Sequence, residues 1–414
     1  MSRESGLGSL GSALPGNELP ATLDRSGKRL QIGFLTAEDP MDRRSWSGIF
    51  YFMAKALEKH CGDVHCLGPF GSLARNFGKG LAGASWVLLR KHYLHTHSPL
   101  LARRYARLIE RKIAQRPLDL LFAVAATPEI AFLNTPLPIV YSADSTFAAV
   151  RGYYPRYTNV LAMSAREADY IDGLGLQKAA LLAFPSAWAA QSAVRDYQVE
   201  ESRVHVIPYG ANLEEAPARE DALRPRAFGE CRLLFVGVKW ERKGGQIAIE
   251  TLTKLRALGV PAQLTICGCV PPREFQTSGL TVIPFLNKND PGQRKKLEEL
   301  YLASHFLLLP SRSECYGIAF CEANAFGLPV VTTRTGGIPQ VVREGRNGFM
   351  LPLSAGASGY AELIARIWED RAGYLKLTRS SRQEFEERLN WDAWAGSLRK
   401  LLPGVLATSR VVSA

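Results

Sequence analysis

Short apolar segments alternate with longer helix-like segments through most of the 414-residue chain, and this alternation limits the folds available to it. Buried parallel strands read as continuous apolar runs, because helices cover both faces of their sheet. Such runs occur at residues 29–36, 63–67, 118–125, 139–142, 179–184 and 203–208, and again at 231–237, 263–268, 281–285, 305–310 and 329–333. Strands that alternate with helices are typical of doubly wound parallel sheets. The sequence therefore predicts an α/β protein.

A polar segment interrupts this alternation near the middle of the chain. Residues 210–226 are acidic and contain proline, unlike the apolar runs on either side. Such a break predicts a domain boundary. Similar α/β sheets in tandem leave a cleft between them, and ligands of such sheets bind beyond the carboxyl ends of the strands.

The composition disfavours several other classes of protein. No run of 18 apolar residues occurs, so a membrane-spanning helix is not expected. Residues 1–27 lack the basic and apolar regions of a secretory signal and predict a disordered leader. The 7 cysteines lack CxxC and zinc-site spacings, which favours buried free thiols in a reducing compartment. The predicted location is the cytoplasm.

The most specific signal is the segment 311–331, SRSECYGIAFCEANAFGLPVV. It predicts a strand end, a tight loop and a helix that begins near Gly317. Glu314 lies in the loop, and Glu322 lies about two turns into the helix, on its cleft side. Carboxylates placed in this way can accept hydrogen bonds from sugar hydroxyls, and the free amides near Gly317 and Ile318 favour a polar or anionic group. The alternative is a pair of solvated glutamates on a surface helix.

This segment resembles the E-x7-E motif of the retaining glycosyltransferases of family 4, which have the GT-B fold. Further segments resemble the same family in the same order: residues 206–213 (VIPYGANL), 235–245 (FVGVKWERKGG), 304–310 (SHFLLLP), 336–339 (GGIP) and 344–348 (EGRNG). The resemblance covers most of the chain and is strongest in its second half. It implies two Rossmann-like, doubly wound domains that face each other across a cleft. It also implies transfer of a sugar from a nucleotide-sugar donor, with retention of the anomeric configuration.

The resemblance assigns roles to the residues of these motifs. Glu314 would contact hydroxyls of the transferred sugar, Glu322 would bind the ribose of the nucleotide, and Lys243 would neutralise the diphosphate. The donor-binding segment would also include Tyr316, Gly317 and Ile318. We therefore predict Glu314 and Lys243 as catalytic residues that also bind the donor.

The lysine has independent support from its position. Lys243 lies in a glycine-bounded loop after a predicted strand, where a lysine is a natural partner for a leaving phosphate, although a solvated lysine is the alternative. Many relatives have an arginine directly after the glycine equivalent to Gly237, whereas this chain has Val238. Arg242 is the preferred second cation of the donor site. The alternatives are Lys239, or a single lysine with backbone amides.

The first half of the chain offers fewer candidates. Ser47 and Gly48 occupy the place of the family's glycine-rich first loop, where a glycine lets the backbone approach the donor phosphate and the acceptor. The alternative for Gly48 is a helix entry without ligand contact. Residues 139–146 match a region in which many relatives have a cleft histidine. Asp144 is the nearest polar side chain here; it could receive or orient an acceptor hydroxyl, or cap the helix that follows.

No Asp-x-Asp metal-binding motif occurs in the sequence, so we predict neither a metal nor a cofactor beyond the nucleotide-sugar substrate. Lysine, arginine and helix amides would then stabilise the departing nucleoside diphosphate. The mechanism usual in the family is front-face displacement, in which a phosphate oxygen of the donor helps to take the acceptor proton. This mechanism needs no separate nucleophile and base.

The net charge of +12 is concentrated in residues 75–116, where Glu110 is the single acid among many lysines and arginines. Read as a basic, amphipathic helical stretch from 86 to 116, this segment predicts contact with an anionic membrane or with an acidic or lipid-linked acceptor. The alternative is a solvated helix face. Nucleic acid is disfavoured, because no recognised binding module accompanies the charge. The predicted location is therefore the cytoplasm, with peripheral association with the inner face of the membrane.

The predicted organisation is a leader (1–27), an acceptor-side domain (28–209), a linker (210–228), a nucleotide-sugar domain (229–390), and a helix with a tail (391–414) that crosses back to the first domain. The predicted acceptor is a glycan, a lipid-linked molecule or a small molecule. A GT-B-fold epimerase, a glycogen-type phosphorylase and a decayed nucleotide-sugar-binding scaffold are the alternative functions. An epimerase would need acid-base groups in the cleft that the sequence does not offer, and a phosphorylase would need a much longer chain. The intact Glu314, Glu322 and Lys243 argue against a decayed scaffold.

Overall fold

The computed structural model describes residues 28–70 and 73–411, which form 2 parallel sheets of 6 strands each. In the first sheet the order is β2-β1-β3-β4-β5-β6. Its strands are β1 (Leu30–Leu35), β2 (Gly62–Cys66), β3 (Leu120–Val124), β4 (Ile139–Ser142), β5 (Leu181–Phe184) and β6 (Val204–Val206). The helices of this half are α1 (Ile49–His60), α2 (Leu73–Leu89), α3 (Pro99–Ile113), α4 (Thr127–Ile130), α5 (Phe147–Val150), α6 (Ala162–Lys178) and α7 (Ala187–Tyr197). The predicted leader lies outside the described residues.

The second sheet has the order β12-β11-β10-β7-β8-β9. Its strands are β7 (Cys231–Val236), β8 (Ala262–Cys267), β9 (Leu280–Ile283), β10 (Phe306–Leu309), β11 (Val330–Thr333) and β12 (Gly348–Leu351). The helices of this half are α8 (Arg219–Ala222), α9 (Gly245–Ala257), α10 (Pro291–Ala303), α11 (Ile318–Ala325), α12 (Ile338–Val341), α13 (Ala357–Glu369), α14 (Arg371–Glu387) and α15 (Trp391–Val411). The predicted doubly wound α/β architecture is confirmed.

The central strands explain why apolar runs mark this fold. Every residue of β3 (LLFAV) and of β10 (FLLL) is buried, because helices cover both faces of each sheet. Adjacent strands are in parallel register, so that Phe34 of β1 lies opposite Phe122 of β3 and their rings stack with centroids 6.2 Å apart. The strand order of each sheet reverses between two neighbouring strands, β1 and β3 in the first sheet and β7 and β10 in the second. Crevices for ligands open at such reversals.

The prediction of one basic helical stretch from 86 to 116 is wrong. Helix α2 ends at Leu89, and Arg90 follows with a left-handed φ of 53°. Helix α3 then begins at Pro99, where a proline in the first turn needs no amide hydrogen-bond partner. Because a left-handed residue and a proline separate them, the two halves of the basic segment have independent surroundings.

The C-terminal helix α15 packs against α1 of the first sheet. Its Asp392 pairs with the side chains of Lys59 and His60 at 3.1 and 2.6 Å. At the start of the helix, Trp391 stacks on Tyr209, with ring centroids 5.6 Å apart. The last helix of the second half thus contacts both the first domain and the junction. None of the helices in the described part of the chain is long and apolar enough to span a membrane.

A buried acid holds the end of the second domain together. Glu384 on α14 is fully buried and pairs with Arg343 at 3.3 Å and Arg346 at 2.9 Å, and its other oxygen pairs with Arg388. The two nitrogens Nη1 and Nη2 of Arg388 donate to carbonyls that end α12, at 2.8 and 2.7 Å. The acid therefore orients an arginine that joins α12 to α14.

Replacing Glu384 by alanine should lower the free energy of unfolding by about 3 kcal/mol, since it leaves a largely buried arginine without its carboxylate. Urea denaturation of the full chain measures the change. Glu387→Ala, which removes an exposed acid from the same helix, should cost no more than about 0.5 kcal/mol. Equal losses in the two variants would contradict a structural role for the arginine cluster.

Candidate active site

The loops that follow β7 and β10 lie side by side at the reversal of the second sheet. The amide of Arg312 donates to the carbonyl of Arg242 at 2.7 Å and joins the loops directly. Since the carboxyl ends of both strands point to this edge, residues 237–244 and 310–317 form the wall of the crevice.

Lys243 and Glu314 form a buried ion pair between these loops, through Nζ of the lysine and Oε2 of the glutamate. Nη1 of Arg242 lies 3.3 Å from the same oxygen and donates to the carbonyl of Ser313 at 2.9 Å. A Cβ atom at Gly237 would lie only 2.9 Å from Cγ of Lys243, so the glycine leaves space for the lysine. The structure thus brings two predicted donor-binding cations, Lys243 and Arg242, to the carboxylate of Glu314.

The charges at this cluster keep the glutamate ionised. Burial raises the pKa of Glu314, but the charges and hydrogen bonds of Lys243 and Arg242 outweigh burial and hold the pKa below its ordinary value. Arg242 and Lys239 were the candidates for the second cation. Arg242 reaches Glu314, whereas Lys239 is exposed, as is Val238 at the position where many relatives have arginine. A diphosphate in the crevice would compete with Glu314 for both cations.

Two adjacent tyrosines of the first domain contact the glutamate loop. The hydroxyl of Tyr153 accepts from the amide of Glu314 at 2.9 Å and lies 2.8 Å from Oγ1 of Thr335. The hydroxyl of Tyr154 accepts from the amide of Cys315 at 3.0 Å and lies 3.5 Å from Oε1 of Glu314. Sequence reasoning missed both tyrosines; an aromatic pair in a polar loop before a proline was the available signal. The domains therefore meet at Glu314 itself.

Asp144 lies at the carboxyl end of β4 and faces the same cluster. Burial and the nearby charge of Glu314 raise the pKa of Asp144 to about 6, in spite of hydrogen bonds from the Trp46 and Ser145 side chains. The alternative role as a helix cap is wrong, because the Thr146 hydroxyl caps α5 by accepting an amide hydrogen bond at 3.2 Å. Asp144 is thus free of a capping role and next to the predicted sugar-binding glutamate.

The predicted first loop is built from left-handed residues. Trp46, Ser47 and Gly48 have φ values of 46°, 58° and 92°. Only the glycine adopts such a positive φ without strain, because it has no Cβ atom. The side-chain amide of Asn212 donates to the Ser47 carbonyl at 2.9 Å, and Nε1 of Trp391 donates to Oδ1 of Asn212 at 2.9 Å. Sequence reasoning missed the roles of Asn212 and Trp391, which fix this strained loop from the domain junction.

Glu322 lies in a separate polar cluster. It is buried on α11, pairs with Nζ of Lys288 and accepts from the hydroxyl of Tyr301 at 3.0 Å. Since α11 begins only at Ile318, Glu322 lies little more than one turn into the helix rather than the predicted two. Asn289, next to Lys288, reaches the first domain through a 3.0 Å hydrogen bond to an aspartate. Glu322 is therefore held near the cleft edge, and within the described residues it forms no hydrogen bond or ion pair with Lys243 or Glu314.

Two family models match the chain, one in each half. Residues 50–215 match "Glycosyltransferase Family 4" and residues 230–370 match "Glycosyl transferases group 1". Together the matches include the loops that contain the ion pair, its tyrosines and Asp144. The chain belongs to the group 1, family 4 glycosyltransferases.

Individual relatives of this glycosyltransferase agree with that assignment. A D-inositol 3-phosphate glycosyltransferase of Corynebacterium glutamicum (strain R) is 24% identical over 294 residues, which are 66% of this chain and 68% of the relative. The chain spans 48% and 50% of the length of two further relatives that it matches.

Solved structures share the architecture of the glycosyltransferase at low sequence identity. A sucrose-phosphate synthase from Thermosynechococcus elongatus has a TM-score of 0.65 at 18% identity, covering 92% of this chain and 100% of that structure. The Anabaena protein HepE in complex with UDP-glucose has a TM-score of 0.59 at 16% identity, covering 91% and 100%. The GT-B fold that the sequence predicted is confirmed.

The predicted donor segment of the glycosyltransferase needs one correction. Tyr316 is buried, and its hydroxyl donates to the carbonyl of Tyr209 at 2.8 Å. Its side chain therefore belongs to the packing of the domain junction rather than to a donor surface. Gly317 is the left-handed cap of α11, and its amide and that of Ile318 donate no hydrogen bond within the described part of the chain. These amides are available to an anionic or polar ligand.

Within residues 28–70 and 73–411, no group of three or more His, Cys, Asp and Glu side chains is arranged to hold a metal ion.

Proposed function

We propose that this glycosyltransferase moves a sugar from a nucleotide-sugar donor, bound mainly by the second domain, to an acceptor hydroxyl in the cleft. The observation that carries the proposal is the shared contact of Lys243 and Arg242 with Glu314, where the strand order of the sheet reverses. Two cations there can neutralise a diphosphate, and the carboxylate that they release can accept hydrogen bonds from the sugar. Gly317 and Ile318 add free amides to the same edge.

In the proposed reaction the bond between the anomeric carbon and the diphosphate oxygen breaks, and a bond from that carbon to the acceptor oxygen forms. Lys243 and Arg242 stabilise the charge that develops on the departing diphosphate. Asp144 orients the acceptor hydroxyl and takes its proton, because a carboxylate with a raised pKa is a better base near neutral pH. Glu322, with Lys288 and Tyr301 around it, is proposed to bind the ribose.

We further propose that the acceptor oxygen attacks from the face that the diphosphate leaves, so that the anomeric configuration is retained, as the resemblance to the retaining family implies. We also propose that no divalent ion is needed, since the sequence has no Asp-x-Asp motif. The cationic pair on one loop supports donor activation by side chains alone. Addition of EDTA should then leave turnover unchanged, whereas a strict loss that Mg²⁺ or Mn²⁺ restores would contradict this part. The configuration of the product is read directly by NMR of its anomeric proton.

The names of the relatives suggest a class of donor and a class of acceptor. The curated relatives are named for D-inositol 3-phosphate, and HepE is seen with UDP-glucose. UDP-sugars are therefore the first proposed donors, and a phosphorylated hydroxyl compound is the first proposed acceptor type.

Thermal unfolding with a panel of UDP-, GDP- and ADP-sugars tests the donor. We expect one nucleotide sugar to stabilise the chain by about 2.7 kcal/mol at 100 times its dissociation constant, with little effect of the others. Arg242→Gln should reduce that stabilisation, while the control Lys239→Gln should not. If no member of the panel stabilises the protein and none is turned over, the proposed function is wrong.

A further inference from the structure

A cavity of about 560 Å³ lies between the two domains beside the ion pair. The first domain lines it with Trp86, His92 and Tyr153, and the second domain with Arg242, Arg312 and Ser313. Tyr153 and Arg242 both contact Glu314 directly. The cavity therefore adjoins the proposed position of the sugar without including Lys243 or Asp144 in its lining.

The charge of this cavity favours an anion. Arg312 is half-buried, and its guanidinium has no hydrogen-bond or ion-pair partner among the residues that the structure describes. Arg242 also lines the cavity but is paired with Glu314, and Glu241 supplies an exposed acid to the lining, so Arg312 is the cation that can meet an anion there. An arginine without a carboxylate partner in a cleft is suited to a phosphate, which accepts two parallel hydrogen bonds from a guanidinium.

The edge of the cavity is apolar. Trp86 lines the cavity, stacks on His92 with ring centroids 4.6 Å apart, and also begins an exposed run at the end of α2. The exposed fractions of this run are 44% for Trp86, 70% for Val87, 77% for Leu88 and 59% for Leu89. Four consecutive exposed apolar residues form a patch larger than scattered surface residues produce.

The neighbouring basic helix differs in this respect. On α3 the apolar side chains of Leu101, Tyr105 and Ile109 are buried against the first sheet, so its arginines form an ordinary solvated face. On α3 only the isolated Leu100 is an exposed large apolar side chain, so the continuous apolar run of this region lies on α2, with Arg90 and Lys91 exposed directly after it. Apolar side chains with adjacent cations match the interface of an anionic membrane.

We propose that the cavity is the acceptor site and that the acceptor is an anionic lipid with a phosphate-bearing head group. The head group lies against Arg312 and extends a hydroxyl past Glu314 to the neighbouring Asp144, the proposed proton acceptor. The end of α2, Trp86 to Leu89, inserts into the surface from which the lipid comes. This inference rests on the proposed function for the transfer step and replaces the whole basic segment 75–116 by α2 as the membrane contact.

Co-sedimentation of the full chain with vesicles tests the proposal. We expect binding to phosphatidylcholine vesicles that contain about one third phosphatidylglycerol, and much weaker binding to phosphatidylcholine alone. Replacing Leu88 and Leu89 by serine should weaken binding about tenfold, and Arg312→Gln should weaken it about fivefold. The matched controls on α3, Leu100→Ser and Arg104→Gln, should stay within about twofold of the wild type.

The other results overturn the proposal. Equal binding to neutral vesicles would remove the role of the charge, and equal losses in the α3 controls would assign binding to the general basic surface. Thermal stabilisation by soluble glycerol 3-phosphate, lost in Arg312→Gln and without vesicle binding, would show a soluble phosphorylated acceptor instead of a lipid.

The test is independent of the donor experiment. The Leu88, Leu89 double variant should keep the stabilisation by the nucleotide sugar, since neither residue touches the ion-pair cluster. Vesicle binding without any donor effect in the wild type would contradict the transfer reaction and leave a lipid-binding surface. A donor effect without vesicle binding would contradict the lipid and leave the transferase.

Discussion

Replacing Lys243 by alanine should lower the turnover number about 10²–10³-fold, because it removes a preorganised buried charge from the place where the diphosphate departs. The ammonium group is buried and paired with Glu314, so it needs no reorganisation when negative charge develops on the leaving group. Steady-state kinetics with the nucleotide sugar found by thermal unfolding measures the loss. The effect should appear in kcat and in kcat/KM together, since the interaction strengthens in the transition state.

Lys239→Ala is the matched control, since it removes an exposed lysine of the same loop. Its turnover should stay within about twofold of the wild type. Equal losses in Lys239→Ala and Lys243→Ala would contradict the assignment of the leaving-group charge to the buried lysine.

Glu314→Gln should separate binding from turnover. The amide keeps the shape of the side chain but no longer competes with a diphosphate for Lys243 and Arg242, so free nucleoside diphosphate should bind about fivefold more tightly. Turnover should nevertheless fall about 10²-fold, because the contact with the sugar hydroxyls is weakened. Isothermal titration with the nucleoside diphosphate and single-turnover kinetics measure the two effects. Weaker binding of the diphosphate would contradict competition for the cations.

Replacing Asp144 by asparagine should lower kcat/KM about 10²-fold or more at pH 8 and remove the acidic limb of its pH profile. Burial and the charge of Glu314 raise the pKa of Asp144 to about 6, so the carboxylate that accepts a proton is lost as the pH falls through 6. The wild-type rate should therefore fall about tenfold per pH unit below that value, and the variant should be flat there. The pKa of Glu314 lies below its ordinary value, so Glu314 does not titrate in this range.

The control for Asp144→Asn is Asp221→Asn, an exposed acid on α8, which should retain the wild-type profile. A full acidic limb with only a small loss of rate in Asp144→Asn would contradict a role as proton acceptor. The donor phosphate oxygen of the family mechanism would then be the group that takes the proton.

Local patterns were sufficient for the fold and for part of the site. The strands were predicted from apolar runs such as FLLL of β10. A strand that is buried on both faces needs apolar residues at every position, so its own sequence is sufficient to identify it. Lys243 and Glu314 were found in the same way, because each follows a strand of the second sheet and the carboxyl ends of parallel strands meet at one edge. Arg242 was preferred over Lys239 from the same loop.

The remaining contacts depend on side chains that are far apart in the chain. Tyr153 meets the Glu314 amide across 161 residues, and Trp391 meets Asn212 across 179. The sequence left open whether Asp144 caps α5 or serves the acceptor, and only the structure shows that the Thr146 hydroxyl is the cap. The basic segment likewise gave no sign that most apolar side chains of α3 are buried, whereas the last four residues of α2 are exposed.

By itself, the sequence determined the paired α/β domains, the loops that hold the glutamate and the cations, and the family. Apolar periodicity and motif spacing are local properties, so a single chain records them. The tertiary structure alone decided that Glu314 is shared between Lys243, Arg242 and Tyr154, that Tyr316 belongs to the junction, and that a cavity with an unpaired arginine opens beside an exposed helix end. Those features arise where two domains meet, and the charge, burial and packing of a side chain there are set by residues from the other half of the chain.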